Sequence, residues 1–291
     1  MSAASGGAAD ARGNPVTAVE NPAGIQRSSL VTRVMTAAVY GIVLLTALWF
    51  GGVYLGVVVG VIAALAAAEF FAITRREHRL PNEVLGVLAA LAMPVAAALW
   101  AFDGLIAVVS VLLGVAIVWH VLFSQVQTAD TALTVFGALY TGLSLSFLVL
   151  VRGFDSGQIV ALALVFSVWA NDTLAYFVGS SIGKHKLAPT ISPKKSWEGL
   201  VGGTLGSLLV WVVVAFLPSQ PITLPWAIVT GLVVGAAVIL GDLAESRFKR
   251  EAGVKDSGTL LPGHGGFLDR HDSLILVSLV GWCVLMLAGV L

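Results

Sequence analysis

The chain has 291 residues, of which 58% are hydrophobic and 11% are charged, and its mean hydropathy is +0.95. Soluble domains carry about 25% charged residues, so this composition excludes a soluble globular protein. The 16 Lys and Arg residues balance the 16 Asp and Glu residues, and their positions are therefore more informative than their sum. A single cysteine, Cys283, excludes an internal disulfide.

Residues 1–29 are rich in Ala, Gly, Ser and Pro and have no signal-peptide pattern, so we expect a disordered cytoplasmic tail. Apolar runs follow, and they predict an all-α polytopic integral membrane protein with about nine transmembrane helices. Eight is the alternative, because only Gly51 and Gly52 separate the first two runs. The runs are Val34–Phe50, Val53–Ile73, Val84–Trp100, Leu105–Phe123, Ala132–Val151, Ile159–Val178, Leu200–Leu217, Trp226–Leu240 and Leu274–Leu291.

The basic residues predict the orientation of these spans. With about nine spans, every Lys and Arg except Arg152 falls on the side of the N-terminus. The positive-inside rule then places the N-terminus in the cytoplasm. We expect residues 30–158 to form a transmembrane scaffold and residues 159–291 a catalytic part with cytoplasmic loops at 179–199 and 242–272. The predicted location is the inner or plasma membrane of the cell, with the active site on the cytoplasmic face.

Most of the first 150 residues are typical of a scaffold. Glu69 and His120 lie near predicted helix ends, where snorkelling or pairing with Arg75 or Arg76 is the simpler interpretation. Several glycine pairs spaced four apart predict close helix packing. These pairs are Gly52/Gly56, Gly56/Gly60, Gly202/Gly206 and Gly231/Gly235.

Asp172 lies inside the sixth apolar run. A charge in hydrocarbon costs on the order of 3 kcal/mol on insertion scales, so this carboxylate needs a partner, a cation or a water-filled cavity. A functional role is favoured over a structural ion pair. We expect a polar cleft that opens sideways between the sixth, eighth and ninth spans.

The segment after this span contains Lys194, Lys195 and Ser196 directly before the next predicted helix. Its glycine spacing does not match a phosphate-binding P-loop, and His185 stands where the required Ser or Thr would be. Ammonium groups beside a helix N-terminus are typical of a polyphosphate site. Contact with anionic lipid headgroups is the open alternative.

The most polar stretch is Gly241–Ser273. If the eighth helix continues past Leu240, one face presents a stripe of polar residues. The turn at Gly265 and Gly266 would let backbone NH groups approach a ligand. Carboxylates among cations suggest a hard-cation site for a phosphorylated substrate, whereas one Cys and five scattered His exclude structural zinc. The stripe is Asp242, Glu245, Ser246, Lys249 and Arg250, and the candidate metal ligands are Asp172, Asp242, Asp269 and Asp272.

This stretch resembles the signature of the phosphatidate cytidylyltransferases, also called CDP-diacylglycerol synthases. Two upstream segments, beginning at Asn171 and Ser192, are similar to other family segments in the same order. His271 departs from the pattern, because the family prefers an aliphatic residue or Thr there. The signature appears here as Ser246-x-Phe248-Lys249-Arg250-x4-Lys255-Asp256-x-Gly258-x2-Leu261-Pro262-x-His264-Gly265-Gly266-Phe267-x-Asp269-Arg270-x-Asp272.

The resemblance implies a multi-spanning enzyme, often a homodimer, that joins CTP to phosphatidic acid with Mg²⁺ and releases pyrophosphate. K⁺ is the candidate second ion. By motif position, Asp242 and Asp269 become the leading metal ligands, with Asp272 and Asp172 as supports. The implied phosphate-binding residues are Lys249, Arg250, Lys255 and Arg270, and Lys194 and Lys195 would face the nucleotide or the lipid phosphate. No nucleic-acid partner is expected.

His264 is expected to contact phosphate or support the turn, with proton transfer as the alternative. A transporter is the main competing class, because ion-coupled carriers also use intramembrane acids. Its weakness is that the charges collect at one membrane face and the two halves show no inverted repeat. An alcohol phosphotransferase is disfavoured because its DxxDGxxAR pattern is absent.

Overall fold

The computed structural model describes residues 30–75, 81–219, 221–258 and 265–291, except for the side chains of residues 30–34, 36 and 37. The predicted tail 1–29 lies outside these residues. The described chain is mostly helical, as the all-α prediction expected, and one short hairpin is the local addition. The elements are α1 (Leu30–Phe50), α2 (Gly52–Arg75), α3 (Glu83–Leu122), α4 (Thr128–Ala138), a π-helical turn (Leu139–Leu143), α5 (Ser144–Arg152), α6 (Gly157–Ile182), β1 (Lys186–Ala188), β2 (Ser192–Ser196), α7 (Trp197–Ala215), α8 (Leu224–Glu251) and α9 (Leu268–Leu287).

Seven helices in the described ranges are long and apolar enough to cross a membrane. Among residues with described side chains, α1 adds a shorter apolar stretch, Ala38–Phe50. The mostly helical, polytopic architecture is therefore as expected, whereas the count of nine and the cytoplasmic N-terminus stay predictions. The fifth predicted span is a single run, Thr128–Arg152, that includes the π-helical turn.

The third and fourth predicted spans both lie in α3. The backbone leaves the helical region at Trp100 and Ala101, and Ala101 has φ +48°. A Cβ atom built on Gly104 would lie 2.5 Å from the Ala96 carbonyl oxygen, although eight residues of continuous helix span about 12 Å. The chain therefore turns sharply here, which explains the two separate apolar runs in the sequence.

The glycine pairs lie where helices cross closely. A Cβ on Gly206 would lie 2.7 Å from the Ala170 carbonyl oxygen, which brings α7 against α6. A Cβ on Gly231 would lie 2.6 Å from the Leu208 Cα atom, which brings α8 against α7. Gly52 is the exception, because no atom lies within 4 Å of a Cβ built there. Helix α7 therefore packs closely against both α6 and α8.

One hydrophobic core extends from Leu44 in α1 to Leu285 in α9. Phe248 of α8 contacts the ring of Phe70 in α2 edge-on at 5.7 Å and that of Tyr140 at 5.6 Å. Such aromatic pairs contribute beyond their buried area. The parts 30–158 and 159–291 therefore pack as one body. The assignment of a scaffold role to the first part and a catalytic role to the second stays a prediction.

The two polar loops are shorter than predicted. Helix α6 continues to Ile182, and an antiparallel hairpin then leads to α7, whose first turn is capped by Ser196: its Oγ accepts from the Gly199 N–H at 3.1 Å. Helix α8 continues to Glu251 and α9 begins at Leu268. The polar stripe after Leu240 is therefore helical, as its spacing indicated.

Gly206→Val is expected to destabilise the protein by about 1–3 kcal/mol, the usual cost of overpacking, because the added atoms meet the Ala170 carbonyl. Gly114→Val is the matched control, since a Cβ built on Gly114 has no neighbour within 4 Å. Thermal unfolding of the purified protein in detergent measures both. Equal midpoints would contradict the close packing of α6 on α7.

Candidate functional site

A polar cleft of about 410 Å³ lies between α6, the hairpin, the start of α7 and α8. Its polar lining is Asn171, Asp172, Lys194, Lys195, Ser196 and Asp242, together with Ser180. The structure thus brings five of the predicted site residues to one cavity. The expected cleft included the ninth span, but the lining comes from α7 instead. The reason is that the hairpin and the α7 N-terminus fold over the end of α6.

Asp242 is held from two sides. The Lys195 Nζ atom lies 2.7 Å from its Oδ2 atom, and the Ser246 hydroxyl donates to its Oδ1 atom at 3.2 Å. Lys195 arrives on β2, whereas Ser246 lies one turn further along α8. The ion pair is half-buried and joins the hairpin to α8. It therefore positions both a cation and an anion at the mouth of the cleft.

Asp172 and Asp272 share the electrostatic environment of Asp242. The charge of Asp242 repels both carboxylates, and that of Lys195 attracts both. Asp172 is open to the cleft, whereas Asp272 is buried and its Oδ1 atom accepts from the Ser273 N–H at 2.7 Å. Three of the four predicted metal ligands therefore lie near one another.

Asp269, the fourth predicted ligand, belongs to a separate group. The Lys249 Nζ atom lies 2.6 Å from both Asp269 Oδ1 and Glu245 Oε2. We call Glu245, Lys249 and Asp269 the Lys249 cluster. Its side chains are 1%, 12% and 9% exposed, respectively. Asp269 Oδ2 also accepts from the Gly266 and Ser257 N–H groups at 2.8 and 3.1 Å.

The described residues contain no group of three His, Cys, Asp or Glu side chains that could hold one metal ion. The four predicted carboxylates therefore do not converge on a single point. Magnesium needs only one or two protein carboxylates when phosphates and water complete its shell. The donor chemistry of Asp172 and Asp242 fits such a site, and the metal assignments stay predictions.

The other predicted binding residues have different surroundings. Arg250 donates to the Ile191 and Val254 carbonyls at 3.3 and 3.0 Å, so it anchors the hairpin turn to the end of α8. Lys255 is exposed, and so is Arg270, whose charge attracts Asp172. Gly265 has φ +84° and directly precedes Gly266, whose N–H donates to Asp269. His264 lies outside the described residues.

His271 is fully buried and ties α9 to α1. Its Nε2 atom lies 2.6 Å from the Tyr40 hydroxyl and its Nδ1 atom 2.6 Å from the Phe267 carbonyl oxygen. A histidine can stand here in place of the aliphatic residue or Thr of the family pattern, because both ring nitrogens have partners. The departure from the family pattern thus has a local structural explanation.

Three polar residues at or near the site are absent from the predicted set. Glu69 was expected to snorkel or to pair with Arg75 or Arg76; Arg75 instead donates to Glu83 at 2.7 Å, and Arg76 lies outside the described residues. Glu69 instead accepts from the Ser257 hydroxyl. Asn171 donates to Ser207 Oγ and the Gly235 carbonyl at 3.1 and 3.2 Å, which joins α6 to α7 and α8.

The third is Glu245, the most buried member of the Lys249 cluster. The spacing Glu245-x3-Lys249 was a usable signal, because side chains four apart meet on a helix. For Glu69 and Asn171 the available signal was a lone polar residue in an apolar helix. Nothing in the local sequence specified their partners.

Lys249→Ala is expected to lower the free energy of unfolding by about 3–5 kcal/mol, because it leaves two buried carboxylates without their shared cation. Arg247→Ala is the matched control on the same helix. Its pair with Glu251 is exposed, so its loss should cost less than about 1 kcal/mol. Denaturant titration in detergent measures both variants. Similar costs would show that the Lys249 pairs are not buried in solution.

Comparisons with known proteins identify the family. A model of the Cytidylyltransferase family matches residues 31–288. The chain is 36% identical over 252 residues to the phosphatidate cytidylyltransferase of Staphylococcus saprophyticus, covering 84% of this chain and 95% of the relative. It is 32% identical over 291 residues to that of Synechocystis sp., covering 89% and 98%. The corresponding Mycobacterium tuberculosis protein is 38% identical over 161 residues, 55% of this chain and 48% of the relative.

The match thus extends over both the N-terminal helices and the cleft, well beyond the segments that carried the resemblance. These findings show that the chain is an enzyme of the cytidylyltransferase family.

Proposed function

We propose that this protein transfers the cytidylyl group of CTP to phosphatidic acid, giving CDP-diacylglycerol and pyrophosphate. The activity for which its relatives are named supports this assignment. The structural observation that carries it is the cleft, which is lined by Lys194 and Lys195 together with Asp172 and Asp242. The cleft volume of about 410 Å³ falls in the range of small-molecule sites.

An apolar groove supports a lipid as one of the two substrates. It lies between α6 and α7, and Phe166, Trp169, Leu209 and Val213 belong to its lining. Along α6, its Ala170 and Thr173 flank the cleft residues Asn171 and Asp172. A phosphatidate headgroup in the cleft would therefore have its acyl chains beside an apolar surface, while CTP enters from water.

In the proposed reaction, an oxygen of the phosphatidate phosphate attacks the α-phosphorus of CTP in line. The new P–O bond forms as the bond from the α-phosphorus to the oxygen bridging to the β-phosphorus breaks, and pyrophosphate leaves with that electron pair. The attacking phosphate is largely ionised near neutrality, because its second pKa is about 6. No strong general base is required.

The main obstacle is repulsion between two polyanions. Lys194 and Lys195 would hold their phosphates, and fixed cations stabilise the charge that accumulates on the transferred group. Lys195 must then exchange part of its contact with Asp242 for substrate. When a phosphate binds Lys195, an oxygen of the Asp242 carboxylate would lose its contact with Lys195 and could bind another group.

Asp172 and Asp242 are the proposed ligands of Mg²⁺, with Asp272 and Asp269 as further candidates. When bound, Mg²⁺ would neutralise charge on the reacting phosphates. K⁺ as a second ion, a homodimer and an active site on the cytoplasmic face belong to the same proposal. The basic hairpin supports the cytoplasmic face.

The function can be tested with the purified full chain in detergent, supplied with labelled CTP, phosphatidic acid and Mg²⁺. We expect an organic-extractable cytidine lipid and one pyrophosphate per lipid formed. Omitting phosphatidic acid is the control. Absence of the lipid product, together with solute uptake into proteoliposomes, would favour a transporter instead.

Asp242→Asn should lower kcat by about 100- to 1,000-fold, because weaker binding of Mg²⁺ would remove electrostatic stabilisation of the transition state. The amide keeps the side-chain shape but cannot balance Lys195 or bind a hard cation well. Asp155→Asn, at an exposed carboxylate before α6, is the matched control. Turnover of Asp242→Asn near that of the control would remove Asp242 from the proposed site.

Lys194→Ala should raise the apparent KM for CTP or for phosphatidic acid, because it removes an exposed cation from the cleft. Lys186→Ala, an exposed lysine of β1 that does not line the cleft, is the control. Initial rates across both substrate concentrations measure the effect. An unchanged KM for both substrates would favour headgroup contact as the role of Lys194.

A further inference from the structure

Glu69 is a buried carboxylate near the end of α2, in the part of the chain expected to be scaffold. Its side chain is 4% exposed. The Oε2 atom accepts from the Ser257 hydroxyl at 2.7 Å and from the Leu268 N–H at 2.9 Å. These donors lie 188 and 199 residues away in sequence; Ser257 lies between α8 and α9, and Leu268 is the first residue of α9.

Two glycines surround this carboxylate closely. A Cβ atom on Gly258 would lie 2.3 Å from Glu69 Oε1, and one on Gly266 would lie 2.2 Å from Glu69 Oε2. The Gly266 Cβ would also lie 2.0 Å from the Ser257 hydroxyl oxygen. The segment therefore needs glycine at both positions to approach the carboxylate so closely. Gly258 and Gly266 thus lie directly against the two oxygens of the Glu69 carboxylate.

The same segment holds Asp269. The Ser257 and Gly266 N–H groups donate to Asp269 Oδ2 at 3.1 and 2.8 Å. Ser257 thus contacts Glu69 through its hydroxyl and Asp269 through its backbone. Leu268, which donates to Glu69, directly precedes Asp269. Any shift of Glu69 would pass to Asp269 through these two short connections.

We propose that Glu69 is a positioning residue for cytidylyl transfer: it fixes Ser257 and Leu268 so that their segment presents Asp269 to Lys249 in one geometry. This inference rests on the proposed function. A hydrophobic side chain would fill the same space without the cost of burying a charge. The carboxylate is favoured here because its Oε2 atom accepts both from the Ser257 hydroxyl and from the backbone N–H of Leu268, the first residue of α9.

The test compares Glu69→Ala with Glu69→Gln and Glu83→Ala. Glu69→Ala should lower kcat by about 10- to 100-fold, the range seen when a group that orients a ligand residue is removed, with a smaller change in KM for CTP. Glu69→Gln should keep most of the turnover, because its amide oxygen can accept from the same two donors. Glu83→Ala removes a partly exposed carboxylate at the start of α3 that pairs with Arg75, and it should leave kcat unchanged.

Hydrogen–deuterium exchange supplies a readout besides activity. In Glu69→Ala, the amides of Ser257, Gly266 and Leu268 should exchange faster, while exchange in α6 and α7 stays as in the wild type. Ser257→Ala should also lower kcat, and the double variant should lose less than the sum of the two single effects, because both substitutions remove the same Ser257–Glu69 hydrogen bond.

Wild-type kcat and wild-type exchange in Glu69→Ala would overturn the inference, as would strictly additive effects of the two substitutions. If Glu69→Ala does not fold, Ser257→Ala decides alone: unchanged kcat and unchanged exchange at Gly266 overturn the inference, and their joint change supports it. Failure of the wild type to form cytidine lipid would instead overturn the proposed function, and the exchange data would still test the positioning of the segment.

Discussion

Carboxylates that are buried among apolar helices need donors for their oxygens, and this need organises the site end of the molecule. A buried charge costs several kcal/mol unless hydrogen bonds and an opposite charge compensate it. Asp269 has Lys249 and two backbone amides, and Glu69 has a hydroxyl and a third amide. The segment between α8 and α9 supplies most of these donors. Its described residues Ser257 and Gly266 therefore lie beside Glu69 of α2 and Asp269 of α9.

The carboxylates of the cleft are compensated in a different way. Asp242 is paired with Lys195, while Asp172 faces the cavity beside it. The charge of Asp242 also acts on Asp172 and on the buried Asp272, and a cation bound among these acids stays a proposal. The lysines lie on a hairpin, and Arg250 fastens its turn to the end of α8. The lysines thus come from the hairpin and the carboxylates from helices, and the Arg250 contact fixes the hairpin relative to α8.

Much of this arrangement follows from local spacing. The intervals from Asp242 to Lys249 predicted a helical stripe, and α8 continues through it because no glycine or proline interrupts residues 242–251. The glycine pairs predicted close crossings, which α6, α7 and α8 make. The resemblance carried by Ser246–Asp272 led to the correct family. In each case residues a few positions apart are sufficient to specify the feature.

The sequence by itself determined the class of protein, the helices, the polar stripe and the family, because hydrophobic periodicity and motif spacing are local. Only the tertiary structure decided that Asp269 joins Glu245 and Lys249 while Asp172 and Asp242 share the cleft. Only it showed that Glu69 belongs with residues almost 200 positions away. The physical reason is that donors for a buried carboxylate are chosen by proximity in space, which depends on how all the helices pack together.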